Sequence, residues 1–326
     1  MVRIAGAQGY YGDPPDGIFS VLDAEPDFVV CEALSELTLA ILQKDRLSDP
    51  DLGYTKDLTT YLDLVLGEVA AGRLRFVTNA GGINPRSAAR AIQEAARRSG
   101  HPELRVGVVE GSDLMPQLGR LRELTDGFPH MRTGERFPFG TPAFATAYLG
   151  AGPIAAALDA GASVVVTGRV ADAALFLGCL IHAYGWQMDD WDRLAAGTVV
   201  GHLLECSTQV TGGNLSGPWR AVPDPALLGY PLAEVDDNGD AVIFKGSGGG
   251  LVSFETVRQQ LLYEVEDPRN YLAPDCIADF TSATIKDLGK NEVRISGVKG
   301  KPPTSSYKAL LCGIGGYLGE ARVAFA

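Results

Sequence analysis

Basic residues are scarce: 28 Lys and Arg stand against 40 Asp and Glu, giving a formal net charge of −12. Such a surface repels phosphate backbones, and no basic patch interrupts it, so nucleic acid is excluded as a partner and a membrane surface is disfavoured for the same reason. Cysteine is sparse as well. Cys31, Cys179, Cys206, Cys276 and Cys312 are scattered without a CxxC pair, which argues against a disulfide framework or a structural zinc site and for core thiols. Long apolar runs are missing: the N-terminus MVRIAGAQGYYGDPPDG has a short apolar run and then helix breakers, neither a signal peptide nor a spanning segment. A cytoplasmic protein is expected. No internal repeat, low-complexity tract or true linker is found.

What is present is ample core material, 46% hydrophobic and 21% charged residues over a length of 326. That length and balance predict one large domain or two tightly joined ones. Buried strands are expected at Val2 to Ala5, Phe28 to Cys31, Leu74 to Thr78, Leu104 to Val109 and Ser163 to Thr167. Helical spacing falls between them, at Leu34 to Leu42, Leu58 to Ala71, Arg86 to Ser99, Pro153 to Leu158 and Ala171 to Tyr184. The segment from Gly111 to Gly140 is irregular and reads as a lid or excursion. Alternating strands and helices predict an α/β fold: a mostly parallel twisted sheet with helices on both faces, doubly wound over residues 1–210. Past about residue 210, glycine, turns and alternating residues such as Val293-Arg294-Ile295-Ser296 predict a smaller α+β part, 211–326, packed on the first.

In parallel α/β sheets ligands bind outside the carboxyl ends of the strands, where glycine loops bring N–H groups and helix N-termini to one crevice. Three segments fit. The first, with Gly9, Tyr11 and Asp13, reads G-x-x-G-x-x-G, and its tyrosines and double proline sit where a dinucleotide loop needs small residues. The second is TNAGGINP, with Thr78, Asn79, Gly81, Gly82 and Asn84, suited to orienting a carbonyl or carboxylate; the plainer alternative is a turn whose asparagines cap backbone groups. The third, TGRVADAAL, places Thr167, Arg169 and Asp172 at a strand end, where the arginine fork would hold a phosphate or carboxylate, or would simply pair with Asp172.

The most chemical cluster is GHLLECSTQ. On a helix His202, Glu205 and Cys206 share a face, and a histidine against a carboxylate makes an acid/base pair, or a bland buried contact. No second histidine lies at ligand spacing, so no metal is assigned. Thr211-Gly212-Gly213 and the run Gly246 to Gly250, with Ser247 and Gly249, are further glycine loops; the latter lacks the G-K-[ST] end of a P-loop. In QLLYEVEDPRNYLAPD, Tyr263, Glu264, Tyr271 and Asp275 read as a surface turn unless they face the crevice.

In this order YYGD, TNAGGINP, TGRVADAAL, GHLLEC, QVTGG, QLLYE and YLAPD resemble the AtuA-like proteins named for acyclic terpene utilisation, over nearly the whole chain. The resemblance implies a link to the breakdown of citronellol- and geraniol-type acids as coenzyme A thioesters. There are departures: Glu32 in VVCEALSEL stands where the family often shows aspartate, and GSGGG where it tends to GTGG. Relatives continue into a small ferredoxin-like domain, whereas this sequence closes on GGYLGEARVAFA, so a separate ferredoxin-like subunit is a candidate partner.

The leading expectation is a hydratase/dehydratase-type lyase acting on a branched unsaturated acyl-CoA or carboxylic acid. No cofactor is expected beyond coenzyme A as part of a substrate. Asn79 and the Gly81-Gly82 amides would polarise a carbonyl, Arg169 would hold an anionic group, and His202 with Glu205 would move the proton. The alternatives are an accessory subunit that binds an acyl-CoA or a partner enzyme, and a nucleotide-cofactor oxidoreductase. A homo-oligomer is expected, a dimer being the commonest symmetric form.

Overall fold

The protein is described here by a computed structural model, covering residues 1–138 and 140–316. Of the closing GGYLGEARVAFA, the stretch 317–326 lies outside the described residues. The first strands are β1 (Val2–Gln8), β2 (Phe28–Cys31), β3 (Arg75–Gly82), β4 (Val106–Val109) and β6 (Val164–Gly168). They run parallel in the order β1-β2-β3-β6-β4, so β6 inserts between β3 and β4. Both faces are covered, which is why these strands read as continuous apolar runs. Phe28 and Val30 enter one core with the helices α6 (Gly152–Asp159), α7 (Ala174–Tyr184) and α8 (Trp191–Leu204). Val29 and Cys31 enter the other, with α3 (Leu58–Ala70) and α4 (Pro85–Arg98).

Helix α4 shows how local sequence sets an element. Pro85 sits in its first turn, the Asn84 side chain caps it by accepting from the Ser87 N–H, and Ala88, Ile92, Ala95 and Ala96 face the core. Arg90, Arg97 and Arg98 point to solvent. Burying the Ile92 side chain completely contributes roughly 1.5–3 kcal/mol. By contrast α7 is apolar on every side, as a helix enclosed between a sheet and neighbouring helices must be.

The strands β7 (Pro231–Val235) and β8 (Ala241–Lys245) join the same sheet, β7 pairing antiparallel with β1. Then β12 (Glu292–Ser296) and β11 (Thr284–Gly289) extend it to nine strands. The turn to glycine-rich sequence near residue 210 thus marks a change from parallel to antiparallel pairing within one sheet. Three short strands, β9 (Tyr271–Leu272), β10 (Ile277–Asp279) and β13 (Lys299–Lys301), form a second sheet against α8. Strands β5 (Phe144–Ala147) and β14 (Ala309–Cys312) make a third. The excursion after β4 carries the short helix α5 (Leu118–Leu124), none of whose residues is buried.

One local expectation is corrected. TNAGG is strand rather than loop: β3 continues to Gly82 because Asn79 finds buried partners for its amide and the glycines allow close approach to β6. A Cβ on Gly81 would lie 2.4 Å from the Thr167 carbonyl oxygen. After the glycine run 246–250 comes α9 (Phe254–Leu262), started by its own capping box, Ser253 with Thr256.

Candidate functional site

Strand alternation sets the site. With Phe28 and Val30 directed at α7 and α8, Glu32 just beyond β2 follows them to that face, and Asn79 on β3 follows Val77. They meet: the Asn79 Nδ2 donates to Glu32 Oε1 at 2.7 Å, and the Leu34 N–H donates to the same oxygen at 2.6 Å. Asn79 Oδ1 accepts from the Ala33 N–H at 2.7 Å. With both ends of its amide engaged and no exposed surface, Asn79 does not polarise a substrate carbonyl. Burial, reinforced by the nearby Asp172, pushes the Glu32 carboxyl well above the usual range, against the pull of Arg169, Asn79 and the Leu34 N–H.

Arg169 is 1% exposed and its fork is occupied. It donates to the Val170 carbonyl at 2.8 Å, to the Leu34 carbonyl at 2.9 Å and to the Asp172 carboxylate. Its guanidinium lies 4.5 Å from the centre of the Tyr148 ring, whose hydroxyl donates to Glu36 at 2.6 Å. Arg169 therefore ties the β2 and β6 ends together, the plainer of the two roles read for it, and leaves no fork open for a substrate anion.

His202 and Glu205 meet as their spacing predicts, although α8 ends at Leu204 and Cys206 lies beyond it. The Nε2 of His202 is 2.9 Å from the Gln260 carbonyl oxygen, which only accepts, so Nε2 carries a proton. Nδ1 then faces Glu205 Oε1 at 3.2 Å. Glu205 Oε2 is buried and unpartnered among the described residues. Burial raises the Glu205 carboxyl to about 7, with His202 opposing. Tyr271 and Phe280 pack their rings on His202, so the stretch read as a surface turn contributes a wall. Asp275, from the same stretch, instead accepts from the Ala151 N–H at 2.9 Å.

The end of α8 can lie on β1 only because β1 has glycines there. A Cβ on Gly6 would stand 2.5 Å from the Leu204 carbonyl oxygen, and one on Gly9 would stand 2.8 Å from the Cys206 carbonyl carbon. Gly9 N–H donates to Asp13 at 2.7 Å, and the Tyr11 hydroxyl accepts from the Lys56 N–H at 3.4 Å, so this loop is closed on itself. Glu32 N–H bonds the Gln8 carbonyl, which seats Glu32 beside Gly9. Burial, with Glu205 and Glu32 adding to it, pushes the Cys206 thiol up, so at neutral pH it is a thiol and not a nucleophilic thiolate.

The structure thus brings together Gly9, Asn79, Arg169, Asp172, His202 and Glu205, and adds Glu32 and Gln260, which were not among the expected site residues. Period-two alternation through Phe28-Val29-Val30-Cys31-Glu32 is the signal that would have found Glu32; nothing local marks Gln260. Other expected residues serve the backbone. Thr78 accepts from the Ala80 N–H, Thr167 donates to the Gly168 carbonyl, and Gly81 and Gly82 fill the β3–β6 junction. Gly212 and Gly213 close a turn on Gln209 and Thr208. The N–H groups of Ser247 and Gly249 are spent on the Ser20 and Leu227 carbonyls, which leaves no anion cradle. Asn84 lines a separate groove of about 450 Å³ with Arg46, Arg86 and Glu110. Arg86 there is paired with Glu110 at 2.6 Å.

Among the described residues no group of three or more His, Cys, Asp or Glu side chains is placed to hold a metal ion, and no helix is long and apolar enough to cross a membrane. The model of the acyclic terpene utilisation family protein AtuA matches residues 2–326. The chain belongs to the AtuA family. That membership gives it a role in acyclic terpene utilisation. No curated protein and no solved structure matches the chain. The cluster at the carboxyl ends of β1, β2 and β6 is the candidate site of this AtuA protein.

Proposed function

We propose that the protein is a hydratase/dehydratase-type lyase acting on a branched, unsaturated acyl thioester in acyclic terpene utilisation. The observation that carries this reading is Glu205: one oxygen rests on a histidine anchored from behind, and the other is buried and unpartnered. A carboxyl group raised to about 7 exchanges protons near neutral pH, which suits removal of a proton beside a carbonyl. Elimination or addition of water needs acid/base groups and no redox cofactor. The surroundings favour a thioester over a free acid, because Asp172 and Glu264 act on Glu205 and would repel a second carboxylate. His202 positions Glu205; it does not meet the substrate through Nε2.

The test is incubation of the pure protein in ¹⁸O-water with a panel of branched 2-enoyl and 3-hydroxyacyl thioesters and their free acids, alone and with a candidate ferredoxin-like partner, read by mass spectrometry. Gain or loss of 18 daltons that disappears in Glu205→Gln supports the reading. Binding of an acyl-CoA without any turnover would overturn it in favour of an accessory subunit.

A further inference from the structure

We infer that Glu32 is the second proton-transfer group of this site, working beside Glu205 and positioned by Asn79; the inference rests on the lyase reading. Glu32 repeats the arrangement of Glu205. Oε1 is fixed by two donors, Asn79 Nδ2 and the Leu34 N–H, while Oε2 accepts no hydrogen bond from the described residues. The two carboxyls come from adjoining places. Glu32 is bonded to Gln8 at the end of β1, and Gly9 is pressed against Cys206, the neighbour of Glu205. Both carboxylates bear on the Cys206 thiol.

A buried carboxyl that serves structure alone is ordinarily satisfied by donors or a cation on both of its oxygens. Here the nearby cation, Arg169, spends its donors on Val170, Leu34 and Asp172 and none on Glu32. Asn79 is a positioning residue: its Oδ1 is pinned by the Ala33 N–H, which orients Nδ2 toward Glu32.

The step balances without a further reactant. In the dehydrating direction Glu205 takes the proton from the α-carbon of a 3-hydroxyacyl thioester, and the C–H electrons form the C=C bond. The β-carbon–oxygen bond breaks, and the leaving hydroxyl takes the proton of the Glu32 carboxyl and departs as water. Glu205 ends protonated and Glu32 ionised, and exchange of one proton each with water resets the site. Hydration is the reverse.

The experiment compares 3-hydroxybutyryl-CoA with 3-chlorobutyryl-CoA, whose chloride leaves without a proton. Glu32→Gln is expected to slow loss of water about 100-fold or more while keeping loss of chloride within about fivefold of wild type, and Glu205→Gln to lose both. Asn79→Asp is expected to behave as a weaker Glu32→Gln and to shift one limb of the pH profile of kcat for water loss only. If Glu32→Gln slows both eliminations alike, or neither, Glu32 has no such role and the lyase reading stands on Glu205. If wild type eliminates neither group, the lyase reading falls and this inference with it.

Discussion

The Nε2 of His202 lies 2.9 Å from the main-chain carbonyl of Gln260, on a different helix. The imidazole is thereby turned so that only Nδ1 faces Glu205. Glu205→Gln is expected to lower kcat by about 10²–10⁴-fold, the range of a lost acid/base group. His202→Gln leaves the carboxyl in place and is expected to cost less. Steady-state kinetics on a 3-hydroxyacyl thioester check the order, and an equal or larger loss in His202→Gln would make the histidine the reacting group.

The raised Glu205 carboxyl has consequences for stability as well as for rate. Its folded-state value of about 7 lies above the ordinary carboxyl value of 4.5, so the folded state holds this proton more tightly. The stability it contributes is complete below about pH 4.5, falls as pH rises, and is lost above about pH 7. Glu205→Gln, which cannot ionise, should gain in thermal midpoint on wild type as pH rises from 5 to 8. As a base Glu205 works ionised, so kcat for dehydration should rise through the same interval. A midpoint difference independent of pH would contradict the assignment.

At Gly6 the backbone of β1 and the end of α8 are in contact, and an added Cβ would press on the Leu204 carbonyl at 2.5 Å. Gly6→Ala is expected to destabilise the fold by about 1–3 kcal/mol, the usual cost of overpacking, and to displace Glu205. Urea unfolding measures the first effect and kcat the second. An unaltered kcat would show that α8 absorbs the shift.

Arg169→Met removes a buried cation and leaves the Leu34 carbonyl and Asp172 without it. Breaking such a pair costs about 3–5 kcal/mol, and the Asp172 end is part-exposed, so the lower figure is expected. Chemical denaturation checks this; a loss below about 1 kcal/mol would return Arg169 to the substrate-holding role its sequence position suggests.

Cys206, held as a thiol by burial and, beyond that, by its acidic neighbours, should alkylate more slowly with iodoacetamide at pH 8 than an unhindered peptide cysteine. Intact-protein and peptide mass spectrometry follow the rate. In Glu205→Gln the rate should rise.

Much of this was written in local sequence. The strands FVVC and VVVTG, the proline-led α4 and the His202–Glu205 pair follow from periodicity and helical spacing. The fate of polar groups was not, because it depends on partners far along the chain. Arg169 reads as an open anion fork until Leu34 and Tyr148 are seen to fill it. Asn79 reads as a loop residue because Asn-Ala-Gly-Gly has turn composition, yet Glu32 and Ala33 make it a buried strand residue. Gln260, Tyr271 and Phe280 enclose His202 from the later half, a contact no window of sequence contains.

The antiparallel partner of β1 is β7, with Val2 opposite Val235 and Ala5 opposite Leu232. During synthesis, one edge of the first strand therefore stays open until more than two hundred further residues have emerged. An unpaired edge of such apolar sequence is a template for another copy of itself. The yield of active protein in a cell should thus depend on how fast and how densely it is translated, with slower expression at lower temperature favouring β7 over a neighbouring chain.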